Sequence, residues 1–222
     1  MKNSDITIFT DFDGTITKVD TLNIVLDRFA SKPWRPIEDL VSKNKLPENK
    51  ALQAEFDLVN ASFEEVINYL DQRVQIDPYF IQFAEWCNGN KIPLIILSGG
   101  FREIIEFTFE KFNIKNNMEI RSNNIKVQGN RWTVIPSDSP RINKLCNHCK
   151  TYHLAQVKNK GKKTVFIGDG NTDRCPAESA DIIFAKNDLA GYLTTIKMDF
   201  YYYENFSDIL KILTGLITDN IS

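Results

Sequence analysis

Two aspartates two residues apart, Asp11 and Asp13, stand at the end of an apolar run, Ile6-Thr7-Ile8-Phe9, and are followed by Gly14-Thr15. The run is rich in β-branched and aromatic residues and reads as a buried strand, which Gly14 punctuates. Period-two alternation sends both carboxylates to the same side. Side by side they repel unless positive charge lies between or beside them, and a hard cation with oxygen ligands, Mg²⁺, is the candidate. The alternative is that one carboxyl keeps its proton and serves as an acid. Both uses are expected here.

Suppose a phosphate monoester binds beside them. Its phosphorus needs a nucleophile, its oxygens need positive charge and its leaving oxygen needs a proton. Asp11 can attack as a carboxylate and form an acyl phosphate. Asp13 can protonate the leaving group and then activate water. Ser98-Gly99-Gly100 follows a second apolar run, Pro93 to Leu97, and Gly168-Asp169-Gly170-Asn171-Thr172-Asp173 follows a third, Thr164 to Ile167. Ser98 offers a hydroxyl, and the amides of Gly99 and Gly100, at a helix start, form an anion cradle. Lys150 would neutralise charge on the transferred group, with Lys144, Lys158 and Lys160 as nearby alternatives. Mg²⁺ would bridge Asp11 and a phosphate oxygen, held also by Asp169 and by Asp173 directly or through water.

These residues need a scaffold that gathers strand ends. Strands alternate with helices along the chain, and a fourth apolar run is Ile182-Ile183-Phe184-Ala185. That order argues an α/β, doubly wound parallel sheet, with the ligand beyond the carboxyl ends of the strands. Between Asp20 and Gln75 the pattern is helical: Leu22, Val25, Leu26 and Phe29; Leu52, Phe56, Val59 and Phe63; Val66, Ile67, Leu70 and Val74. This reads as a small helical cap, residues 19–76, inserted after the first strand into a core formed by 1–18 and 77–222. Asp77-Pro78 opens the next helix. Ile120, Ile125 and Val127, then Trp132 and Val134, read as a strand and a hairpin, with turns at Asn123-Asn124 and Gly129-Asn130. Phe200 to Tyr203 reads as a last, packed edge strand, and Phe206 to Ile217 as an amphipathic helix.

Asp11-Phe12-Asp13-Gly14-Thr15, Ser98-Gly99-Gly100, Lys150 and Gly168-Asp169 with Asp173 resemble the four motifs of the haloacid-dehalogenase (HAD) superfamily of phosphatases. Leu97-Ser98-Gly99-Gly100-Phe101 and the helical insertion are similar to the phosphoserine phosphatase subgroup. Overall size and the late Tyr203-Glu204-Asn205-Phe206-Ser207-Asp208-Ile209-Leu210 resemble the 2-hydroxy-3-keto-5-methylthiopentenyl-1-phosphate phosphatases of methionine salvage. Asn171-Thr172-Asp173 departs from phosphoserine phosphatases, many of which carry Asn directly before the last Asp. The resemblance implies a Mg²⁺-dependent phosphatase of a small phosphorylated metabolite, working through phospho-Asp11. It implies that the backbone carbonyl of Asp13 ligates the metal while its side chain does acid–base work, and that the cap closes over the substrate and sets specificity. It makes Asp20 a substrate contact. Arg102, just after the glycines, is a further substrate candidate.

The whole chain fits this reading. With 222 residues, 42% hydrophobic and 25% charged, it has room for a sizeable core. A net charge of -2 gives no sign of a nucleic-acid partner. No stretch approaches the length of a membrane span, and polar residues Met1 to Asp5 lead straight into the first strand, so a cytoplasmic protein with reduced cysteines is expected. Cys146-x-x-Cys149 with His148 and His153 offers zinc ligands, but a single pair does not close a tetrahedral site. Cys149 and Cys175 lie close enough in sequence to Lys150 and Asp173 to line the site. A receiver-type signalling domain would also place Asp, Ser and Lys around Mg²⁺, but it has no use for Asp13. A HAD-fold protein with an idle site is disfavoured by the full motif set, and a dehalogenase by the carboxylate cluster.

Overall fold

The first strand, β1 (Ile6–Thr10), is buried along its whole length, as a β-branched run covered on both faces must be. The structure, a computed structural model, describes residues 5–43, 45–114, 118–138, 140 and 148–218. β1 pairs in parallel with β2 (Leu94–Phe101) on one side and β5 (Lys163–Gly168) on the other. β6 (Ile182–Ala185) and the short β7 (Tyr201–Tyr202) continue the parallel sheet beyond β5. At the opposite edge β3 (Glu119–Gln128) lies parallel to β2 and turns back antiparallel into β4 (Arg131–Ile135). The order β4-β3-β2-β1-β5-β6-β7 sends the chain to opposite sides of β1, which leaves a crevice beyond the carboxyl ends of β1, β2 and β5.

Helices cover both faces. Ile6 and Ile8 pack with Phe80 and Phe83 of α5 (Phe80–Gly89), Ile105 and Phe109 of α6 (Arg102–Lys111), and Phe206 and Leu213 of α10 (Phe206–Thr218). Phe9, on the alternate face, packs with Leu154 of α7 (Lys150–Lys158), Ala177 of α8 (Arg174–Ser179) and Leu189 of α9 (Asn187–Thr195). Each such side chain, fully buried, is worth about 1.5–3 kcal/mol. This is the doubly wound α/β fold expected.

Between β1 and α5 lie α1 (Thr21–Phe29), α2 (Arg35–Ser42), α3 (Glu48–Phe56) and α4 (Phe63–Asp71). Val25, Leu26, Phe56, Val66 and Leu70 bury one cluster with Phe101, Ile104, Ile125 and Trp132. The hairpin thus supports these helices, and Trp132 donates its indole N–H to the Ala61 carbonyl at 2.8 Å.

Several boundaries differ from the sequence reading. The periodicity from Leu52 runs on to Phe63, yet α3 stops at Phe56, because Ser62 and Glu65 form a reciprocal capping box that starts α4 afresh. Asn123-Asn124 is no turn: it lies inside β3, where Asn123 is fully buried and its carboxamide bonds Gly99 and Ser137. β2 does not end at Leu97 but continues to Phe101, with a register shift, so Gly99 and Gly100 close a strand rather than start a helix. Asp77 lies ahead of α5, not at its cap; its buried carboxylate accepts from Tyr79 and Phe206 and ties α5 to α10. Tyr201 and Tyr202 are exposed, although the Tyr201 ring stacks on Phe184 with centroids 5.4 Å apart, and Tyr203 alone of the three is buried.

Candidate active site

The crevice gathers side chains from four places. Asp11 follows β1 and is held there by its amide, which donates to the Ile167 carbonyl of β5 at 2.9 Å. Lys150 opens α7 and is buried; its ammonium donates to Asp11 Oδ1 and to Asp173 Oδ1, each at 2.7 Å. Asp173 ends a single 3-10 turn after β5, and its Oδ2 accepts from the amides of Asp169 and Gly170. Asp169 accepts from the Thr15 hydroxyl at 3.0 Å and from the Asn187 carboxamide at 3.2 Å. Two glycines make room for these carboxylates. A Cβ on Gly14, whose φ is +75°, would lie 2.5 Å from Asp169 Oδ2, and one on Gly168 would lie 2.5 Å from Asp173 Oδ2.

Asp13 stands apart. The chain leaves the strand after Thr10 and bends at Gly14, and Asp13 finds its partners in α1 and β2. Asp13 Oδ1 accepts from the Thr21 amide at 2.9 Å and the Thr21 hydroxyl at 2.6 Å, and Oδ2 from the Ser98 hydroxyl at 3.5 Å. The Ser98 Oγ in turn accepts from the Gly100 amide at 2.9 Å.

Burial raises both aspartates, against different partners. Burial, and then the charge of Asp173 and Asp169, pushes the Asp11 carboxyl well above the usual carboxylate range, while Lys150 pulls it back. Burial also raises Asp13, against the hydrogen bonds from Thr21. Burial works against the Lys150 charge, but Asp11 and Asp173 outweigh it and hold the ammonium above its ordinary value. Asp20 caps α1 by accepting from the Asn23 amide; burial and then Asp13 push its carboxyl up to about 7.

Asp11, Asp169 and Asp173 each place an oxygen within 4.8 Å of the others. Three carboxylates against one ammonium leave excess negative charge in a buried place, and hard oxygen donors in that number suit a divalent cation such as Mg²⁺. The Asp13 side chain is not in this group. Nor are the histidines a zinc site: His148 and His153 direct their Nε2 atoms at one another, 2.8 Å apart, and Cys146 lies outside the described residues. Burial, and then Glu178, push the exposed Cys175 thiol up, opposite to a reactive thiolate.

Arg102 is not brought to the carboxylates. Its guanidinium bonds the Ile120 carbonyl and lies 3.6 Å from Glu106, because α6 begins only after the strand has carried it past the crevice. Lys158 pairs with Asp181, and Lys144 lies outside the described residues. Trp34 and Trp132 are buried, and Trp34 lines a cavity with Leu26, Asp27 and Arg35 rather than the one over Lys150. Thr15, Thr21 and Asn187 are site residues the sequence reading missed. Thr15 lies inside the first motif, where its type alone carried no role; Thr21 and Asn187 had no signal beyond their places at helix starts. Over Lys150 and Gly99 opens a cavity of about 720 Å³, walled on the α2–α3 side by Glu38, Glu48 and Glu55.

A family model described as haloacid dehalogenase-like hydrolase matches residues 8–178. The chain belongs to this family. This HAD-like hydrolase is 32% identical over 221 residues to Pdp3-interacting factor 1 of Schizosaccharomyces pombe, covering 94% of this chain and 95% of that one. It is 26% identical over 209 residues to a 2-hydroxy-3-keto-5-methylthiopentenyl-1-phosphate phosphatase of Brevibacillus brevis, covering 93% and 94%. Against polyol phosphate phosphatase PYP1 of Saccharomyces cerevisiae it is 26% identical over 223 residues, covering 91% and 90%. A solved structure described as a phospho-aspartyl intermediate analogue of phosphoserine phosphatase shares the fold, with a TM-score of 0.69 at 19% identity over 94% of this chain and 98% of that one.

Proposed function

We propose that this HAD-like hydrolase is a Mg²⁺-dependent phosphomonoesterase of a small metabolite, with Asp11 as nucleophile and Asp13 as acid and base. The observation that carries this reading is the difference in partners between two carboxyls: Asp11 is paired with an ammonium, while Asp13, half-buried, is bonded by the neutral donors of Thr21 and Ser98. Lys150 and the Ser98 hydroxyl bind the phosphoryl oxygens and leave Asp11 Oδ facing phosphorus. Asp13 Oδ1 is already engaged by Thr21, so its proton sits on Oδ2 and passes to the leaving oxygen. The P–O bond to the leaving group breaks as the bond to Asp11 forms. Asp13, now a carboxylate, takes a proton from water, which attacks the acyl phosphate and frees phosphate. Asp11, Asp169 and Asp173 would hold Mg²⁺, which supplies charge neutralisation at the phosphoryl oxygens.

Residues 19–76 serve as the cap over a core of 1–18 and 77–222, and the carboxylates on α2 and α3 favour a substrate tail that bears hydroxyls. The phosphates named in the methylthiopentenyl and polyol phosphatases both belong to that class. Asp20 lies at the cap–core junction as a substrate contact. The test is phosphate release from a panel holding the methylthiopentenyl phosphate, polyol phosphates, phosphoserine and sugar phosphates, with Mg²⁺. Turnover of one class, reduced at least about 10³-fold in Asp11→Asn, is expected for loss of the nucleophile. No release from folded protein would favour a phospho-acceptor or an idle site.

A further inference from the structure

The chain has two histidines, His148 and His153; both are buried, and neither is used by the mechanism above. They form one hydrogen-bonded row. Arg121 Nη1 lies 2.8 Å from His153 Nδ1, His153 Nε2 lies 2.8 Å from His148 Nε2, and His148 Nδ1 lies 3.0 Å from the Ser98 carbonyl oxygen. A guanidinium only donates, so His153 Nδ1 must accept. The His153 proton is then on Nε2 and is donated to His148 Nε2. The His148 proton is then on Nδ1 and is donated to Ser98. One cation, itself held by Glu119 at 2.7 Å, thereby assigns both tautomers.

The row ends where the sheet stops helping. Between Leu97 and Phe101 the β2–β3 register shifts, so the regular ladder does not fix Ser98 and Gly99. Side chains do so instead. His148 holds the Ser98 carbonyl from one side, and buried Asn123 donates to the Gly99 carbonyl at 2.7 Å from the other. In a trans peptide the N–H points opposite to the C=O, so pinning these two carbonyls aims the Gly99 and Gly100 amides. The Gly100 amide in turn orients the Ser98 hydroxyl that faces Asp13.

We propose that His148 and His153, set by Arg121, are positioning residues that lock the Ser98-Gly99-Gly100 backbone for phosphate binding. The proposal rests on the phosphomonoesterase reading. Burial, chiefly, lowers His148 to about 3 and His153 to about 4; the charges of Arg121 and Lys150 act in the same direction and only Glu119 opposes them, so the row stays neutral.

The test measures orthovanadate affinity and kcat/KM in Mg²⁺, together with the rise in Tm that Mg²⁺ alone produces. His148→Leu is expected to weaken vanadate binding and kcat/KM about tenfold or more, as misaiming one backbone donor does. The Mg²⁺-induced rise should be unchanged, since the carboxylates are untouched. His148→Asn, whose Nδ2–H can take the Ser98 carbonyl, should recover most of the loss. Arg121→Leu, at the outer end of the row, should weaken vanadate binding several-fold and let His153 mix tautomers, seen in its ¹⁵N ring shifts. Unchanged vanadate binding in either folded leucine variant overturns the proposal, and so does His148→Asn no better than His148→Leu. Wild-type protein that binds no vanadate overturns the phosphomonoesterase reading and the proposal together.

Discussion

At the scale of the residue, the acid–base design depends most on Thr21, which is buried at the start of α1. Its hydroxyl and amide both donate to Asp13 Oδ1, and each bond stabilises the charged carboxylate, against the burial that raises it. Thr21→Val keeps the shape and deletes one donor. The Asp13 pKa then rises further, so the group stays protonated to higher pH, and the alkaline limb of kcat/KM should move upward by up to about one pH unit. An unmoved limb would remove Asp13 from the role of general acid. The residue types of this site were legible because their spacing around three strand ends is informative. Thr21 and Asn187 were not, because a helix-start threonine or asparagine looks the same whether it binds a carboxylate or water.

At the scale of the element, the β3–β4 hairpin decides how firmly the helices above the crevice are held. Trp132 is 1% exposed, meets Phe56 and Phe63 with ring centroids 5.6 and 6.0 Å away, and bonds the Ala61 carbonyl. Trp132→Ala should cost about 3–5 kcal/mol in urea unfolding, in line with other large-to-alanine core changes. KM should rise more than kcat falls, since the change loosens α3 and α4 and leaves the nucleophile in place. Apolar periodicity placed this hairpin in the sequence, yet read Asn123-Asn124 as its first turn. The signal was local, whereas the partners of Asn123, Gly99 and Ser137, are tertiary. The break between α3 and α4 was missed for the opposite reason: the Ser62 and Glu65 capping signature was local but lay inside an apolar rhythm that ran through it.

At the scale of the whole molecule, charge in the crevice links stability to the cation. Asp11 and Asp169 both have raised carboxyls. For such groups the contribution to stability is full below the unfolded carboxylate range and is lost as pH rises through the higher folded value. Without a divalent cation the protein is thus weaker at pH 8 than at pH 5 so far as these groups go. Mg²⁺ at a hundred times its Kd should restore about 2.7 kcal/mol by mass action. The rise in Tm on adding Mg²⁺ should be larger at pH 8 than at pH 5, and Asp169→Asn should abolish most of it. A rise independent of pH would place the cation elsewhere. The sheet order could be anticipated only as a class, because the alternation of strands and helices implies parallel pairing but does not say on which side of β1 each later strand will lie.

That order has a consequence for how the protein comes into being. β1 leaves the ribosome before either of its neighbours, residues Leu94–Phe101 and Lys163–Gly168. Until the second of these segments has emerged, a strand that is buried along its whole length in the folded protein waits with an unpaired edge, a state prone to mispairing and dependent on slow, long-range loop closure. Nascent chains halted before Lys163 should therefore be sticky and chaperone-bound, and synthesis of β5 should release them. The segment that brings Asp169 and Asp173 to Asp11 is also the one that completes the pairing of β1, so the step that covers the central strand is the step that assembles the reactive centre.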